Sequence, residues 1–249
     1  AADVALERKD LKTALAVGGR VPVRAPGLSG SINLTGAVID DLSLVRHRET
    51  EKKDSAPVRL FSPAGTPAQH YAQLGWLGEG VAAPDAKTVW TLSKGKVLTP
   101  ETPVTLTWSN QTGQTFAITY EIDRDYLVTA SQVVVNRGAG AVGVRPFGLI
   151  NRTSKTAALD SFNVHSGPIG EFAGAVSFGP DYDDLVEEQV AEMEGDAGFT
   201  GFTDIYWMSA LAPAKGKAQG TFRSLGGGLF RADLLYPQTV VPAGKQHVT

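Results

Sequence analysis

The chain has 249 residues, 42% hydrophobic and 20% charged, with no cysteine and a formal charge of −3. That balance excludes a disordered chain, and the missing cysteines exclude disulfides, thiolate metal sites and thiol catalysis together. A strongly basic nucleic-acid footprint is also absent.

In chain order, Asp3–Val17 places Val4, Leu11 and Leu15 on one side and stops at Gly18-Gly19, which predicts a helical lead-in. Strands are predicted at Val21–Arg24, around Leu28, Gly30, Ile32 and Leu34, and at Val38–Leu44, Val58–Phe61, Tyr71–Leu77 and Thr88–Leu92. Val104, Leu106 and Trp108 alternate with polar residues. After a Gly-containing loop at 110–114, Phe116, Ile118, Tyr120 and Ile122 alternate in the same way. Two period-2 runs around a short polar turn predict a β-hairpin with its apolar face buried. Further strands are predicted at Ser131–Asn136, Val142–Ile150, Ala173–Phe178, Thr221–Ser224 and Leu229–Tyr236, with Gly226–Gly228 as a hairpin loop. A second helix over Asp184–Glu194 opens with Asp-x-x-Glu and aligns Val186, Val190 and Met193; a strand flanked by loop is the competing reading. Most gaps between strands are too short for crossover helices. The expected fold is therefore all-β, a large antiparallel sandwich with one or two short helices.

Two features outside this pattern invite a functional reading. Eight acids and no Lys or Arg fall between Asp181 and Asp196, which leaves the rest of the chain with a surplus of five positive charges. Such a run is either a solvated face or an electrostatic docking surface. Directly after it, Phe199, Phe202, Tyr206 and Trp207 crowd into nine residues. They form either core or the wall of a groove for an apolar or extended partner. The candidate partner-binding residues are Glu187, Glu188, Phe199, Phe202, Tyr206 and Trp207, an acidic rim beside an apolar centre. The four histidines form no local metal-binding spacing, and no phosphate loop, dinucleotide fingerprint or nucleophile elbow occurs, so no cofactor or metal is expected. No run of 18 apolar residues exists, and the first residues show no basic stretch leading into an apolar one.

Several segments resemble one family. Leu28-Ser-Gly-Ser-Ile-Asn-Leu-Thr-Gly-Ala-Val-Ile-Asp-Asp-Leu-Ser-Leu44, followed by Arg46-His-Arg-Glu-Thr50, is similar to the opening of the large periplasmic domain of YidC-type membrane protein insertases of Gram-negative bacteria. In the same order come Ser62-Pro-Ala-Gly65 with Tyr71 and Gly75-Trp76, Asn136-Arg137 with Arg145-Pro-Phe-Gly148, Phe162–Gly170, and Gly198–Pro213. The resemblance implies a β-supersandwich akin to galactose mutarotases. It spans residues 20–249 as one domain after a lead-in at 1–19, with an end truncated before the helix leading to the membrane. It also implies a periplasmic module without catalysis of its own. Its implied partners are the Sec translocon's accessory subunits (SecDF) and nascent membrane proteins, with membrane attachment through helices outside this chain. The mutarotase kinship offers an acid–base alternative, for which His70, His165, Glu171 and Asp233 are the nominees. The late Glu that such enzymes use has no counterpart, since no Glu follows Glu194.

Overall fold

A computed structural model describes residues 11–154 and 165–249. Its elements, in chain order, are α1 (Leu11–Leu15), β1 (Arg20–Arg24), β2 (Leu28–Asn33), β3 (Val38–Arg48), β4 (Pro57–Phe61), β5 (His70–Glu79), β6 (Thr91–Lys94), β7 (Val104–Ser109), β8 (Gln114–Ile122), β9 (Val128–Asn136) and β10 (Val142–Thr153). The second half contributes β11 (Gly167–Phe172), β12 (Ala175–Ser177), α2 (Tyr182–Glu188), β13 (Val190–Glu192), β14 (Ala197–Thr203), β15 (Met208–Leu211), β16 (Gln219–Ser224), β17 (Leu229–Leu235), β18 (Thr239–Val241) and β19 (Lys245–Val248). The strand pairs in register are antiparallel, as the spacing of turn signals requires. The lead-in helix is present as α1, while the predicted Asp3–Asp10 portion lies outside the described residues. Arg20 Nε closes α1 by donating to the Leu15 carbonyl at 3.0 Å, and Gly18 takes the left-handed φ of +79° that ends the helix.

The chain divides into two compact units. One comprises residues 15–62, 73–146 and 238–249. Within it β1, β2, β3 and β4 pair in sequence, and a five-stranded sheet runs β19-β9-β8-β7-β6. The predicted hairpin is β7–β8, with Val104 opposite Tyr120 and Ser109 opposite Thr115. Val104, Leu106, Phe116, Ile118 and Tyr120 all point inward and are fully buried. Trp76 meets Phe116 edge-on at 5.2 Å and stacks with Trp90 at 6.3 Å, so aromatic area dominates this core. Tyr120 donates its hydroxyl to the Ala37 carbonyl, and burial pushes its pKa upward.

The other unit comprises residues 1–14, 63–72 and 147–237. In it β17 lies between β10 and β16, β13 follows β16, and a four-stranded sheet runs β12-β11-β14-β15. Face-to-face packing joins the two sheets. Phe172 on β11 meets Phe222 on β16 at right angles, 6.0 Å apart, and leaves no room for a Cβ at Gly220. The Gly226–Gly228 loop joins β16 to β17 as predicted, with all three glycines at positive φ, a conformation that side chains resist.

Three sequence expectations shift. The strand expected at Thr88–Leu92 begins only at Thr91, where pairing with β7 starts; Val89 bridges Thr35 and the Trp90 N–H bonds the Leu34 carbonyl. The helix expected at Asp184–Glu194 is Tyr182–Glu188. Its cap is Asp181, whose carboxylate accepts from the backbone N–H groups of Asp183 and Asp184 while Asp184 returns a bond to the Asp181 N–H. Gln189, at φ +65°, ends the helix, and Val190 pairs with Arg223 as strand. Thus Leu185, not Val186, is the buried residue of α2, and Val190 and Met193 lie beyond it. Removing the cap by Asp181→Ala should cost about 1 kcal/mol and speed amide exchange at Leu185, whose N–H bonds the Asp181 carbonyl. Unchanged exchange would refute that role. Third, β11, β14, β15, β18 and β19 are not expected from the alternation of residues, whereas β13 realises in part the competing strand reading of the 184–194 segment.

Candidate interaction surface

The acidic run and the aromatic motif meet in the second unit through a residue outside the candidate set. Tyr182, in the first turn of α2, stacks on Phe202 of β14 at 6.4 Å and tilts against Phe230 of β17 at 4.6 Å. Its hydroxyl is buried without a hydrogen-bond partner. Burial raises its pKa; the Arg152 guanidinium works against that rise and Asp204 adds to it. Tyr182 therefore pins α2 to the core while the remaining side chains of the helix, Leu185 excepted, face water.

Strand alternation then divides the aromatic motif. Phe202 points inward and is 1% exposed. Phe199 takes the opposite parity on β14 and is partly exposed, opposite Glu171 of β11. Asp204 turns the chain: its N–H bonds the Trp207 carbonyl at 2.7 Å, and its Oδ1 accepts from the Ile205 N–H at 2.8 Å. Arg152, itself almost fully buried, holds that turn with an Asp204 ion pair at 2.5 Å and a bond to the Thr203 carbonyl at 2.9 Å. The turn lifts Tyr206 to 80% exposure, with Trp207 partly exposed and Met208 beside it open to solvent. Of the four aromatics, one is core and three reach the surface to differing degrees.

Glu187 and Glu188 are exposed on α2 and make no ion pair among the described residues. At the far end of the acidic run Lys217 reaches Asp196 at 2.8 Å on the surface, a contact that raises the Lys217 pKa. The last turn of α2 carries no basic residue, although acids there oppose the helix dipole.

The nominated acid–base groups do not form a constellation. His70 Nε2 pairs with Ser209 Oγ at 2.8 Å, both buried. His165 Nε2 bonds the Pro168 carbonyl at 2.7 Å and its ring meets Phe178 edge-on. Glu171 accepts from the Gly174 N–H at the β11–β12 turn, and Asp233 is held by Arg223 Nε at 2.5 Å. Each has its own structural partner. Among the described residues no group of His, Asp or Glu could hold a metal ion, and no helix is long and apolar enough to cross a membrane.

Residues 20–249 match the family model for the YidC periplasmic domain. A Zymomonas mobilis protein named membrane protein insertase YidC is 41% identical over 230 residues, covering 91% of this chain and 40% of its own length. A Ruegeria protein of the same name is 38% identical over 237 residues, covering 88% of this chain and 38% of itself. The chain thus spans about two fifths of the length of the curated relatives it matches. Among solved structures, a galactose mutarotase-like protein from Lactobacillus casei superposes with a TM-score of 0.60 at 12% identity, over 92% of this chain and 97% of that one. That likeness establishes the fold, a mutarotase-like antiparallel β-sandwich, and carries no activity with it.

Proposed function

This chain belongs to the YidC periplasmic-domain family, and from that premise we propose that it is a non-catalytic docking module of a membrane protein insertase. It acts on the periplasmic side of the inner membrane, contacting accessory subunits of the Sec translocon (SecDF) and supporting the insertion and folding of nascent membrane proteins. The docking surface is the outer face of α2 with Glu187 and Glu188, together with Tyr206, Trp207 and Phe199.

The observation that carries this reading is the pair of acids at the wrong end of a short helix. Glu187 and Glu188 sit in the last turn of α2, where each opposes the helix dipole by roughly 0.3–1 kcal/mol. Among the described residues no ion pair offsets the cost. Exposed acids that disfavour their own helix suit a basic partner better than they suit the isolated fold, and the exposed Tyr206 offers an apolar contact point in the same unit.

The double substitution Glu187→Lys/Glu188→Lys separates the two roles. Helix stability should hold or rise, because cations favour a helix C-terminus. Co-purification of the Sec accessory subunits with the insertase carrying these changes should fall. Undiminished co-purification would move the contact elsewhere.

A further inference from the structure

Strand parity gives the four-stranded sheet β12-β11-β14-β15 an outer face with few polar groups. Phe202 and its cross-strand neighbours Pro168 and Ser209 point inward, so the alternate rows face out. The register sets those outward rows as Val176–Glu171–Phe199, then Ile169–Gly201–Ala210, then Gly167–Thr203–Met208. Of these nine positions only Glu171 and Thr203 carry polar side chains. A sheet with one solvated face ordinarily places polar residues outward. Here Val176 is 53% exposed, Met208 is 52% exposed, and Phe178, just past β12, is 60% exposed with its ring edge-on to His165. The apolar groups are collected on one face rather than scattered singly.

We propose that this face receives a basic amphipathic helix of a partner polypeptide. Its relief is a trough. Exposed side chains stand on the two edge strands, Val176 on β12 and Met208 on β15, while the floor between them holds the buried Ile169 and the side-chain-free Gly167 and Gly201. Three inter-strand steps of about 4.8 Å set the edges about 14 Å apart, enough for a helix about 10 Å across. Charge selects the flank of that helix. Residues 156–214, which supply all four strands, contain no Lys or Arg. Glu171, the one charge in the outward rows, accepts from the Gly174 N–H and meets no cation among the described residues. The exposed Asp181 follows three residues after Phe178. A Lys or Arg beside the partner's apolar stripe therefore finds an acid to meet. A second copy of this chain would bring acid against acid, and so would an anionic lipid surface. The face shares Phe199 with the α2 surface proposed above and uses neither Glu187 nor Glu188.

The test is a titration of the 249-residue chain labelled with ¹³C at its two methionine methyls. Met208 is the probe, assigned by its loss in Met208→Leu. Met193, whose N–H bonds the Gly220 carbonyl of β16, is the reference away from the trough. A Leu/Lys peptide of helical period should move the Met208 signal along a saturating curve and leave Met193 in place. A Leu/Glu peptide of the same pattern should not. Val176→Ser/Phe178→Ser should weaken binding of the Leu/Lys peptide about tenfold, as loss of two apolar contacts predicts. Glu171→Gln keeps the acceptor for Gly174 and should weaken it about threefold. The Met193 signal reports that each variant is folded, and Glu171→Gln decides if the double variant is not. An unmoved Met208 signal, equal binding of the Leu/Glu peptide, or undiminished binding in the variants would overturn the proposal. So would a Met208 shift produced without peptide, whether by concentrating the chain or by adding phosphatidylglycerol vesicles. No Sec subunit enters the titration, so its failure and the failure of the α2 reading are separate results.

Discussion

Phe202→Ala should destabilise the unit that holds it by about 3–5 kcal/mol, while Tyr206→Ala, four residues on, should change stability by under about 0.5 kcal/mol. The two aromatics belong to one short motif, and only their placement distinguishes them. Phe202 is sealed between the two sheets with Tyr182 stacked on it, so truncation opens a cavity that the backbones of β14 and β17 cannot collapse into. Tyr206 stands at the tip of a turn fixed independently by Arg152 and Asp204, so its ring can be removed without disturbing the support beneath. Urea unfolding midpoints measure both effects, and binding to the proposed partner, the Sec accessory subunits, tests whether the Tyr206 ring takes part in docking. A Phe202→Ala protein with the parental midpoint would refute the packing. If Tyr206→Ala bound its partner undiminished, that ring would leave the docking surface.

Legibility in the sequence follows burial. β7 and β8 bury one face, so their residues alternate and the hairpin reads directly. β11 buries all but one of its positions, β14 breaks the alternation with three consecutive buried positions at 200–202, and each carries two glycines, with Pro168 in β11. Their pattern therefore resembles loop punctuation. The glycine at 201 is there because a Cβ would collide with the Ser209 carbonyl of β15, a close approach invisible without the neighbouring strand. The aromatic density of residues 199–207 reads plainly, but its division into core and surface depends on strand parity and a turn. A signal for Tyr182 was present: Asp181 and Asp184 form the capping box one position set earlier than Asp184-x-x-Glu187, which turns Tyr182 and Leu185 inward. Arg223 and Arg231 are equidistant from Gly227, so centring the hairpin on the glycine loop would have placed them opposite each other. Asn151, which holds Arg231, and Tyr71, which holds Asn151, come from distant segments and leave no local trace.

Asp40→Ala should cost the other unit about 3–5 kcal/mol, and the paired change Arg20→Met/Asp40→Leu should restore much of it. A β-bulge explains why. Ser31 pairs with Asp41 and Ile32 with Ile39, so Asp40 is the extra residue on β3 and two consecutive aspartates gather at one place. Arg20 grips Asp40 with both amino groups, at 2.8 and 3.1 Å, and also donates to Ser31 Oγ. Ser31 donates to Asp41, which accepts from Arg59 at 2.8 Å, and Arg59 Nε reaches Ser62. With Asp40 only 7% exposed and Arg20 13%, deleting one partner strands a charge in a dry place, whereas deleting both removes the cost and its compensation together. Beside the bulge, Gly30 sits at φ +154°, and a Cβ there would overlap the Asp41 carbonyl oxygen, so Gly30→Ala should fail to assemble β2 on β3. Denaturant midpoints for Arg20→Met, Asp40→Leu and the double variant close a thermodynamic cycle. A strictly additive cycle would show Arg20 and Asp40 to be independent and defeat their pairing. Gly30, Ser31, Asp40 and Asp41 all lie in the Leu28–Leu44 stretch, one of those carrying the family resemblance. The requirements of that bulge, a residue without Cβ and two acids met by two arginines, give the stretch a structural reason for its composition that needs no partner. The search for partners therefore belongs with α2 and the Tyr206 turn.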